Sequence, residues 1–344
     1  MLKRFILVTL VFLAAARASL AQNQLTIFIW GDYLAPEIAK DFANKFACNI
    51  NVIPYDDAES MLAAINRGEA AQSDLVLPPD YLVPILVKSN ALAPLRHENI
   101  PNLKNLDQKF IDPPFDAGNR YTVAYQWGTV GVYVRKPKGA RLEETWGVIF
   151  DSKRQPGPFV LLDSPRDVIG AALKYKSQSL NSTDPKYLRE VRELLVKARK
   201  RALGFAAGPI GRNRVLAKTA AAAMVYSGDG LRGMQMDPET LYFIPKEGAQ
   251  IWVDNLAILA KAPHRDMAEK FINHVLDPKT GAQLSDFTRY ATPNKAARQF
   301  IRPDDANNAA LYPSPEIMSK LEFRLDAGTN SALYRDLWSR AKAK

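Results

Sequence analysis

The chain has 344 residues, of which 47% are hydrophobic and 24% charged, and it contains one cysteine. One cysteine cannot form an internal disulfide, which excludes a disulfide-stabilised miniprotein, and the hydrophobic content excludes a disordered chain. The formal charge is +10, but Lys and Arg are scattered among acidic residues. The densest basic run, residues 197–201, is short, so nucleic-acid binding is not predicted. The length predicts about two domains.

The N-terminus has the three-part pattern of a secretory signal peptide. A short basic start is followed by an apolar run over residues 5–16 and by small residues before position 21. We predict cleavage after Ala21, so residues 1–21 are expected to be removed. The apolar run is too short to span a bilayer. The exported chain then carries only Cys48, which we expect to pack as a small hydrophobic residue.

The first part of the mature chain alternates between apolar strands and amphipathic helices. Ile38, Phe42 and Phe46 recur every four residues after Pro36, which suits a first helical turn, and Gly68 is a typical helix stop. The predicted strands are residues 25–30, 51–55 and 74–77, and the predicted helices are 36–46 and 60–67. This order predicts a doubly wound α/β sheet, in which ligands bind beyond the carboxyl ends of the strands.

A second unit of the same kind begins near Val130. Its predicted strands are residues 157–162, 220–226 and 251–258, and its predicted helices are 165–175, 185–201 and 265–276. No Gly/Ser-rich linker separates the two parts. We therefore expect the chain to cross between two lobes on strands.

Signatures of catalysis, metal binding and nucleotide binding are missing. The sequence has no Gly-x-Ser-x-Gly, His-Glu-x-x-His, Walker or Cys-x-x-Cys motif. Residues 228–233 fit Gly-x-Gly-x-x-Gly, but Pro238 interrupts the following helix early and Asp229 has the wrong charge for a pyrophosphate. His97, His264 and His274 are isolated along the chain. We predict no catalytic residue, no metal site and no cofactor, and hence no enzyme.

The informative pattern is the repeated pairing of aromatic residues with carboxylates at strand ends. Carboxylates form charge-assisted hydrogen bonds with N–H groups, and aromatic faces attract a cation and cover its methylene groups. A buried organic ammonium ligand needs both. Any one pair is as well explained by a core aromatic residue and a capping aspartate, so the repetition carries the prediction. The pairs are Trp30 with Asp32 and Tyr33, Asp80 with Tyr81, Tyr226 with Asp229, and Trp252 with Asp254.

From Leu25 to the C-terminus the sequence resembles the bacterial periplasmic polyamine-binding proteins, the spermidine/putrescine solute-binding components of ABC transporters. The resembling stretches follow the order of that family. They are residues 30–33 (WGDY), 73–78 (SDLVLP), 125–128 (YQWG), 162–167 (LDSPRD), 244–248 (IPKEG), 252–254 (WVD) and 290–294 (YATPN). The resemblance implies a two-lobed, type II-like periplasmic binding protein whose ligand is held in the inter-lobe cleft and enclosed by hinge motion. Lobe 1 would comprise residues 22–130 and 256–297, and lobe 2 residues 131–255 and 298–344.

The resemblance also assigns ligand-binding residues. Asp32, Asp229 and Asp254 would bind ammonium groups, with Asp167 secondary. Aromatic residues would line the aliphatic part of the ligand, and Tyr290 would also donate a hydrogen bond. The full predicted set is Trp30, Asp32, Tyr33, Asp80, Tyr81, Asp167, Tyr226, Asp229, Trp252, Asp254 and Tyr290. Three positions depart from the family pattern, namely Gly31, Pro79 and Arg324, and Arg324 would repel an amine if it pointed inward.

The function implied by the resemblance is capture of a putrescine- or spermidine-like polyamine in the periplasm and its delivery to an inner-membrane ABC permease. A monomer is expected. Two alternatives stay open. The ligand could be a thiamine-like cation, or an anionic or zwitterionic solute that uses Arg324. The chain could also be a periplasmic enzyme or a sensor that reports ligand occupancy to a membrane receptor.

Overall fold

The computed structural model describes residues 24–343 except 138, 140 and 141. The predicted signal peptide lies outside this range. The described residues form two compact units. Unit 1 contains residues up to 125, 254–288 and 292–300, and unit 2 contains residues 126–253, 289–291 and from 301 onward. Compared with the predicted lobes, the chain changes unit a few residues earlier at the first two crossings, and residues 289–291 belong to unit 2.

The strands and helices alternate through most of the chain. The strands are β1 (Gln24–Trp30), β2 (Asn49–Tyr55), β3 (Leu75–Val76), β4 (Leu92–Ala93), β5 (Thr122–Arg135), β6 (Phe159–Leu162), β7 (Gly204–Ala206), β8 (Ala222–Tyr226), β9 (Thr240–Phe243), β10 (Gln250–Leu259) and β11 (Glu322–Phe323). The α-helices are α1 (Pro36–Phe46), α2 (Ala58–Arg67), α3 (Val83–Lys88), α4 (Gly147–Phe150), α5 (Pro165–Tyr175), α6 (Pro185–Arg201), α7 (Gly208–Leu216), α8 (Ser227–Met236), α9 (Arg265–Val275), α10 (Pro278–Thr288), α11 (Pro303–Ala306), α12 (Pro315–Lys320) and α13 (Ser331–Lys342).

The sheet of unit 1 is parallel at one side and antiparallel at the other. β1 lies between β2 and β3 and is parallel to both, whereas the unit 1 part of β10 pairs antiparallel with β3 and β4. α2 begins at Asp57, whose Oδ1 accepts a hydrogen bond from the Ser60 backbone N–H at 2.7 Å. Its buried Met61 packs with Phe28 and Val76 in a core cluster against which Trp30 also packs. The core thus fixes the carboxyl end of β1.

Unit 2 contains a mixed sheet. β5 pairs antiparallel with β8 and β9, and β6 is parallel to β7 and β8. α6 begins after Asp184, which caps the Lys186 backbone N–H at 2.7 Å. Its residues Leu188, Val191 and Leu195 are buried on one face, as their spacing predicts. These strands and helices hold β8 so that it leads directly into α8.

Most predicted elements are present, with four differences. Residues 74–77 form only the two-residue strand β3, and the long strand β5 was not predicted because both of its faces are buried and its sequence lacks alternation. Ser164 precedes α5, but its side chain makes no capping hydrogen bond. The strand predicted at residues 220–226 begins only at Ala222, and residues 227–230 after it form the first turn of α8. Free Cys48 is buried, and burial raises the pKa of its thiol.

Candidate functional site

In unit 1, three residues predicted to bind ligand lie together at the carboxyl end of β1. We call Trp30, Tyr33 and Asp254 the unit 1 cluster. The Tyr33 hydroxyl donates a hydrogen bond to Asp254 Oδ2 at 2.8 Å. Asp254 lies on β10, where its backbone forms a bridge with Pro79. The fold therefore brings together side chains that are 221 residues apart in sequence.

Neighbouring aromatic residues hold the unit 1 cluster in place. The Tyr55 ring lies 4.7 Å from the Trp30 ring, and its hydroxyl donates to the Leu77 carbonyl oxygen at 2.5 Å. Tyr125 donates to the Tyr33 carbonyl oxygen at 2.7 Å, and the two rings lie 5.4 Å apart, edge to face. Sequence analysis missed Tyr55 and Tyr125 as supports. Tyr125 belongs to the resembling stretch 125–128, but nothing in the sequence indicates which groups the two hydroxyls contact.

Asp254 is the electrostatic centre of the unit 1 cluster. The residue is 9% exposed, and burial raises its pKa to about 7, although the Tyr33 hydroxyl and the nearby Trp30 indole act in the opposite direction. Trp30 Nε1 is buried, and it forms no hydrogen bond with the described residues. The described groups that act on this pKa include no cation. A buried carboxylate of this kind gains most from a cation that binds to it.

The other predicted residues of unit 1 have different environments. Asp32 is exposed, with a left-handed φ of 54° in the turn after β1. Asp80 is buried at the start of a 3-10 helix, Asp80–Leu82, and its Oδ1 accepts the Tyr81 backbone N–H at 2.8 Å. Tyr81 is half-buried and packs against the core cluster of unit 1. Asp80 thus has a local structural role, and Asp32 is exposed whereas Asp254 is buried.

In unit 2, three predicted aromatic residues form a continuous series of edge-to-face contacts. The Trp252 ring lies 4.9 Å from the Tyr290 ring and 6.3 Å from the Tyr226 ring. Each ring comes from a different segment: β8, β10 and residues 289–291. Such T-shaped arrangements place the positive edge of one ring against the negative face of another. Trp252 Nε1 is buried and has no hydrogen-bond partner among the described residues.

Two buried carboxylates of unit 2 are each accompanied by arginine, and one of them also contacts a ring of the aromatic series. Asp167 accepts a hydrogen bond from the Tyr226 hydroxyl at 2.8 Å, and its Oδ1 lies 4.0 Å from Arg324 Nη1. Asp229 Oδ1 lies 3.2 Å from Arg232 Nη2 and 3.5 Å from Arg212 Nη1. We define the unit 2 cluster as these five residues and the three rings. Its members are Asp167, Arg212, Tyr226, Asp229, Arg232, Trp252, Tyr290 and Arg324.

The two ends of the unit 2 cluster differ in their electrostatics. Burial raises the pKa of Asp229, and the positive charges of Arg232 and Arg212 partly offset that increase. Tyr226 has a pKa well above its ordinary value because it is buried and faces the Asp167 carboxylate. The spacing of Asp229 and Arg232, three apart on a helix, could have revealed their pairing. Arg212 lies on a different helix, and nothing in the sequence indicates its approach to Asp229.

Two further features bear on function. Among the described residues, no group of three or more His, Cys, Asp or Glu side chains is arranged to hold a metal ion. Within residues 24–343, apart from the three that are not described, no helix has the length and apolar character needed to cross a membrane.

The described residues form the α/β fold of two-lobed binding proteins, with helices flanking the sheets. Residues 37–314 match the family model described as bacterial extracellular solute-binding protein, and the chain belongs to this family. It is 29% identical over 332 residues to the spermidine/putrescine-binding periplasmic protein of Salmonella typhimurium, with 96% of this chain and 94% of that protein covered. It is also 29% identical over 358 residues to the putrescine/cadaverine-binding protein of Pseudomonas aeruginosa, with both chains covered completely.

Solved structures agree with these relatives. The spermidine/putrescine ABC transporter substrate-binding protein PotD from Streptococcus pneumoniae, in complex with calcium and HEPES, superposes with a TM-score of 0.84 at 26% identity. The match covers 93% of this chain and 100% of that chain. The predicted resemblance to polyamine-binding proteins and the predicted two-lobed α/β fold class are thus confirmed. The relatives are solute-binding proteins, and those from Salmonella typhimurium and Escherichia coli are named periplasmic.

Proposed function

We propose that this protein is a periplasmic binding protein for a polyamine and that it delivers its ligand to an inner-membrane ABC permease, without catalysing a reaction. The observation that carries the proposal is the buried Asp254 carboxylate, hydrogen-bonded to Tyr33 beside Trp30. The names of the relatives support the same class of ligand. They do not favour the thiamine-like, anionic, enzymatic or sensory alternatives.

Asp254 binds one ammonium group of the ligand in this proposal. Burial deprives the ionised carboxylate of hydration, and an ammonium ion beside it compensates for that loss. The resulting hydrogen bond is charge-assisted. Trp30 presents its ring to the adjacent methylene groups and Tyr33 orients the carboxylate. The other predicted ligand-binding residues remain part of the proposal, namely Asp32, Asp80, Tyr81, Asp167, Tyr226, Asp229, Trp252 and Tyr290.

Buried polar atoms without partners support a binding role for the clusters. Trp30 Nε1, Trp252 Nε1 and Asp167 Oδ1 are buried and form no hydrogen bond with the described residues. Folded proteins satisfy the great majority of such atoms. An ammonium group can satisfy the acceptor among them, Asp167 Oδ1, whereas the two indole N–H groups are donors and would need an acceptor.

The test is isothermal titration calorimetry of the mature protein with putrescine, cadaverine and spermidine. We expect wild-type protein to bind at least one of them and Asp254→Asn to weaken binding at least about a hundredfold, since losing one partner of a buried charge pair costs about 3 kcal/mol or more. Asp41→Asn is the matched control, because Asp41 is an exposed aspartate of unit 1 on α1. Equal affinities for wild type and Asp254→Asn, or no polyamine binding by a folded wild type, would refute the proposal.

A further inference from the structure

Tyr290 lies in a short segment of unit 2 that is outside the helices and strands. The segment is residues 289–291, and the chain before and after it belongs to unit 1. The Tyr290 ring lies 4.9 Å from the Trp252 ring, and a Cβ atom at position 228 would be 2.3 Å from Tyr290 Cε1. Such ring contacts require the backbone of residue 290 to be held in place. The contacts made by residues 289 and 291 are therefore important for the position of the ring.

On one side of Tyr290, the segment is held by backbone hydrogen bonds. The Trp127 backbone N–H donates to the Ala291 carbonyl oxygen at 3.1 Å, and the Ala291 N–H donates to the Trp127 carbonyl oxygen at 3.2 Å. Trp127 is a buried residue of β5. This antiparallel bridge connects residue 291 to the sheet of unit 2.

On the other side of Tyr290, the segment is held by a buried ion pair. Arg289 Nη1 lies 2.8 Å from Asp305 Oδ2, and Arg289 Nη2 lies 3.0 Å from Asp305 Oδ1. The two side chains are only 15% and 10% exposed, so water and salt screen the pair poorly. Asp305 Oδ2 also accepts hydrogen bonds from Arg302 Nε and Nη2 at 3.1 and 2.7 Å. A bidentate pair fixes the orientation of the guanidinium group as well as its distance.

The backbone of Arg289 has an unusual conformation. Its φ is 65°, in the left-handed region that glycine adopts readily and that other residues rarely adopt. α10 ends one residue earlier, at Thr288, and glycine is the usual residue in this conformation after a helix. A larger residue persists there when surrounding contacts hold it, and such residues concentrate at functional sites. The ion pair with Asp305 supplies a contact of this kind.

From these observations we infer that Arg289 and Asp305 are positioning residues for polyamine binding and that they act by holding the backbone of Tyr290. This inference rests on the proposed function, in which Tyr290 is a ligand-binding residue. The ion pair fixes the chain before Tyr290, and the bridge with Trp127 fixes the chain after it. The ring is therefore ordered before the ligand arrives, and less binding free energy is lost in ordering it.

A double-mutant cycle measured by calorimetry tests the inference. The four proteins are wild type, Arg289→Gly, Tyr290→Ala and the variant with both substitutions, and the ligands are putrescine, cadaverine and spermidine. Glycine accepts a φ of 65°, and Asp305 keeps its contact with Arg302, so Arg289→Gly removes the ion pair without adding backbone strain. Arg289→Gly should weaken binding of the tightest ligand by about fivefold to tenfold when Tyr290 is present. It should have no further effect in Tyr290→Ala.

Two further variants complete the experiment. Asp305→Asn removes the other partner of the ion pair and should also weaken binding only when Tyr290 is present. Asp237→Asn is the matched control, because Asp237 forms a partly buried ion pair with Arg135 in the same unit, at 2.6 Å. It should leave ligand affinity unchanged. Thermal unfolding without ligand verifies that each variant is folded, and if Asp305→Asn is not, the cycle with Arg289→Gly decides.

The outcomes separate the inference from the proposed function. If Arg289→Gly leaves affinity unchanged, or weakens binding by the same factor with and without the Tyr290 ring, the inference is overturned while polyamine binding stands. The same holds if Tyr290→Ala binds as tightly as wild type. If Asp237→Asn weakens binding as much as Arg289→Gly does, loss of any ion pair in unit 2 has this effect, and the inference is again overturned. If folded wild type binds none of the three amines, the proposed function fails and the inference fails with it.

Discussion

At the scale of single residues, Asp254 combines burial, a hydrogen bond and an aromatic neighbour. Its carboxyl group receives the Tyr33 hydroxyl at 2.8 Å and lies in surroundings that raise its pKa to about 7. The protonated form is therefore strongly populated near neutral pH. Because an ammonium ligand interacts favourably with the ionised form, binding and deprotonation of this carboxyl group are linked.

The first prediction concerns the pH dependence of ligand affinity. Putrescine affinity should rise by up to about tenfold per pH unit below about pH 7 and level off above about pH 8, because the ligand competes with a proton for Asp254. Calorimetry at a series of pH values in buffers of equal ionic strength would measure this rise. An affinity that stays constant from about pH 5.5 to 8 would contradict the linkage.

The same residue predicts the pH dependence of stability without ligand. A carboxyl group whose pKa is raised in the folded state stabilises the fold below its unfolded pKa, near 4, and this contribution is lost as the pH rises through its folded pKa, about 7. Wild type should therefore lose stability relative to Asp254→Asn across this window. Urea unfolding of both proteins at about pH 5 and pH 8 provides the comparison. Asp41→Asn should behave like wild type.

At the scale of elements, the first turn of α8 packs closely against the Tyr290 ring of the unit 2 cluster. The pattern of residues 228–233 resembles a phosphate-binding loop in sequence, but these residues lie inside α8. A Cβ atom at position 228 would lie 2.3 Å from Tyr290 Cε1. Glycine at position 228 leaves room for the Tyr290 ring because it has no Cβ atom. This explains a glycine in a helix, where alanine would normally be favoured.

The second prediction follows from this packing. Gly228→Ala should destabilise the protein by about 1–3 kcal/mol, because the Tyr290 ring must move to admit the methyl group. In Gly281→Ala on α10, the new Cβ would be 3.4 Å from its nearest neighbours, so that variant should be neutral or more stable by up to about 1 kcal/mol. Urea unfolding measures both. A stabilising Gly228→Ala substitution would show that the ring does not occupy this position.

At the scale of the whole molecule, the chain belongs to the solute-binding family and is organised as two compact units with net charges of opposite sign. Unit 1 is acidic and carries the proposed ammonium-binding residue, whereas unit 2 is basic. The family match covers residues 37–314 and therefore includes Asp254 and the unit 2 cluster except Arg324, whereas Trp30 and Tyr33 lie before it.

The third prediction is made at this scale. A ligand that binds only the native state stabilises the protein by mass action, by about 2.7 kcal/mol at a concentration one hundred times its Kd. Putrescine should therefore raise the thermal unfolding temperature of wild type progressively with its concentration. Asp254→Asn should show no comparable increase at the same concentrations. A rise of equal size in both proteins would mean that putrescine binds elsewhere.

The sequence by itself determined the class of the molecule and many of its elements. Alternating hydrophobic periodicities predicted α1 and α6 with the bounds that the structure has, because local spacing of apolar residues specifies a helix face. Motifs spread along the whole chain identified the family. The sequence also placed Tyr33 and Asp254 among the candidate binding residues.

Only the tertiary structure decided which of those candidates lie together. Asp32, Asp229 and Asp254 are equivalent in sequence, yet Asp32 is exposed, Asp229 is shared by two arginines and Asp254 is buried beside Tyr33. The physical reason is that burial and charge pairing depend on residues distant along the chain, such as Arg212 for Asp229. Local patterns carry no information about these partners, so the electrostatic role of each carboxylate emerges only when the chain is folded.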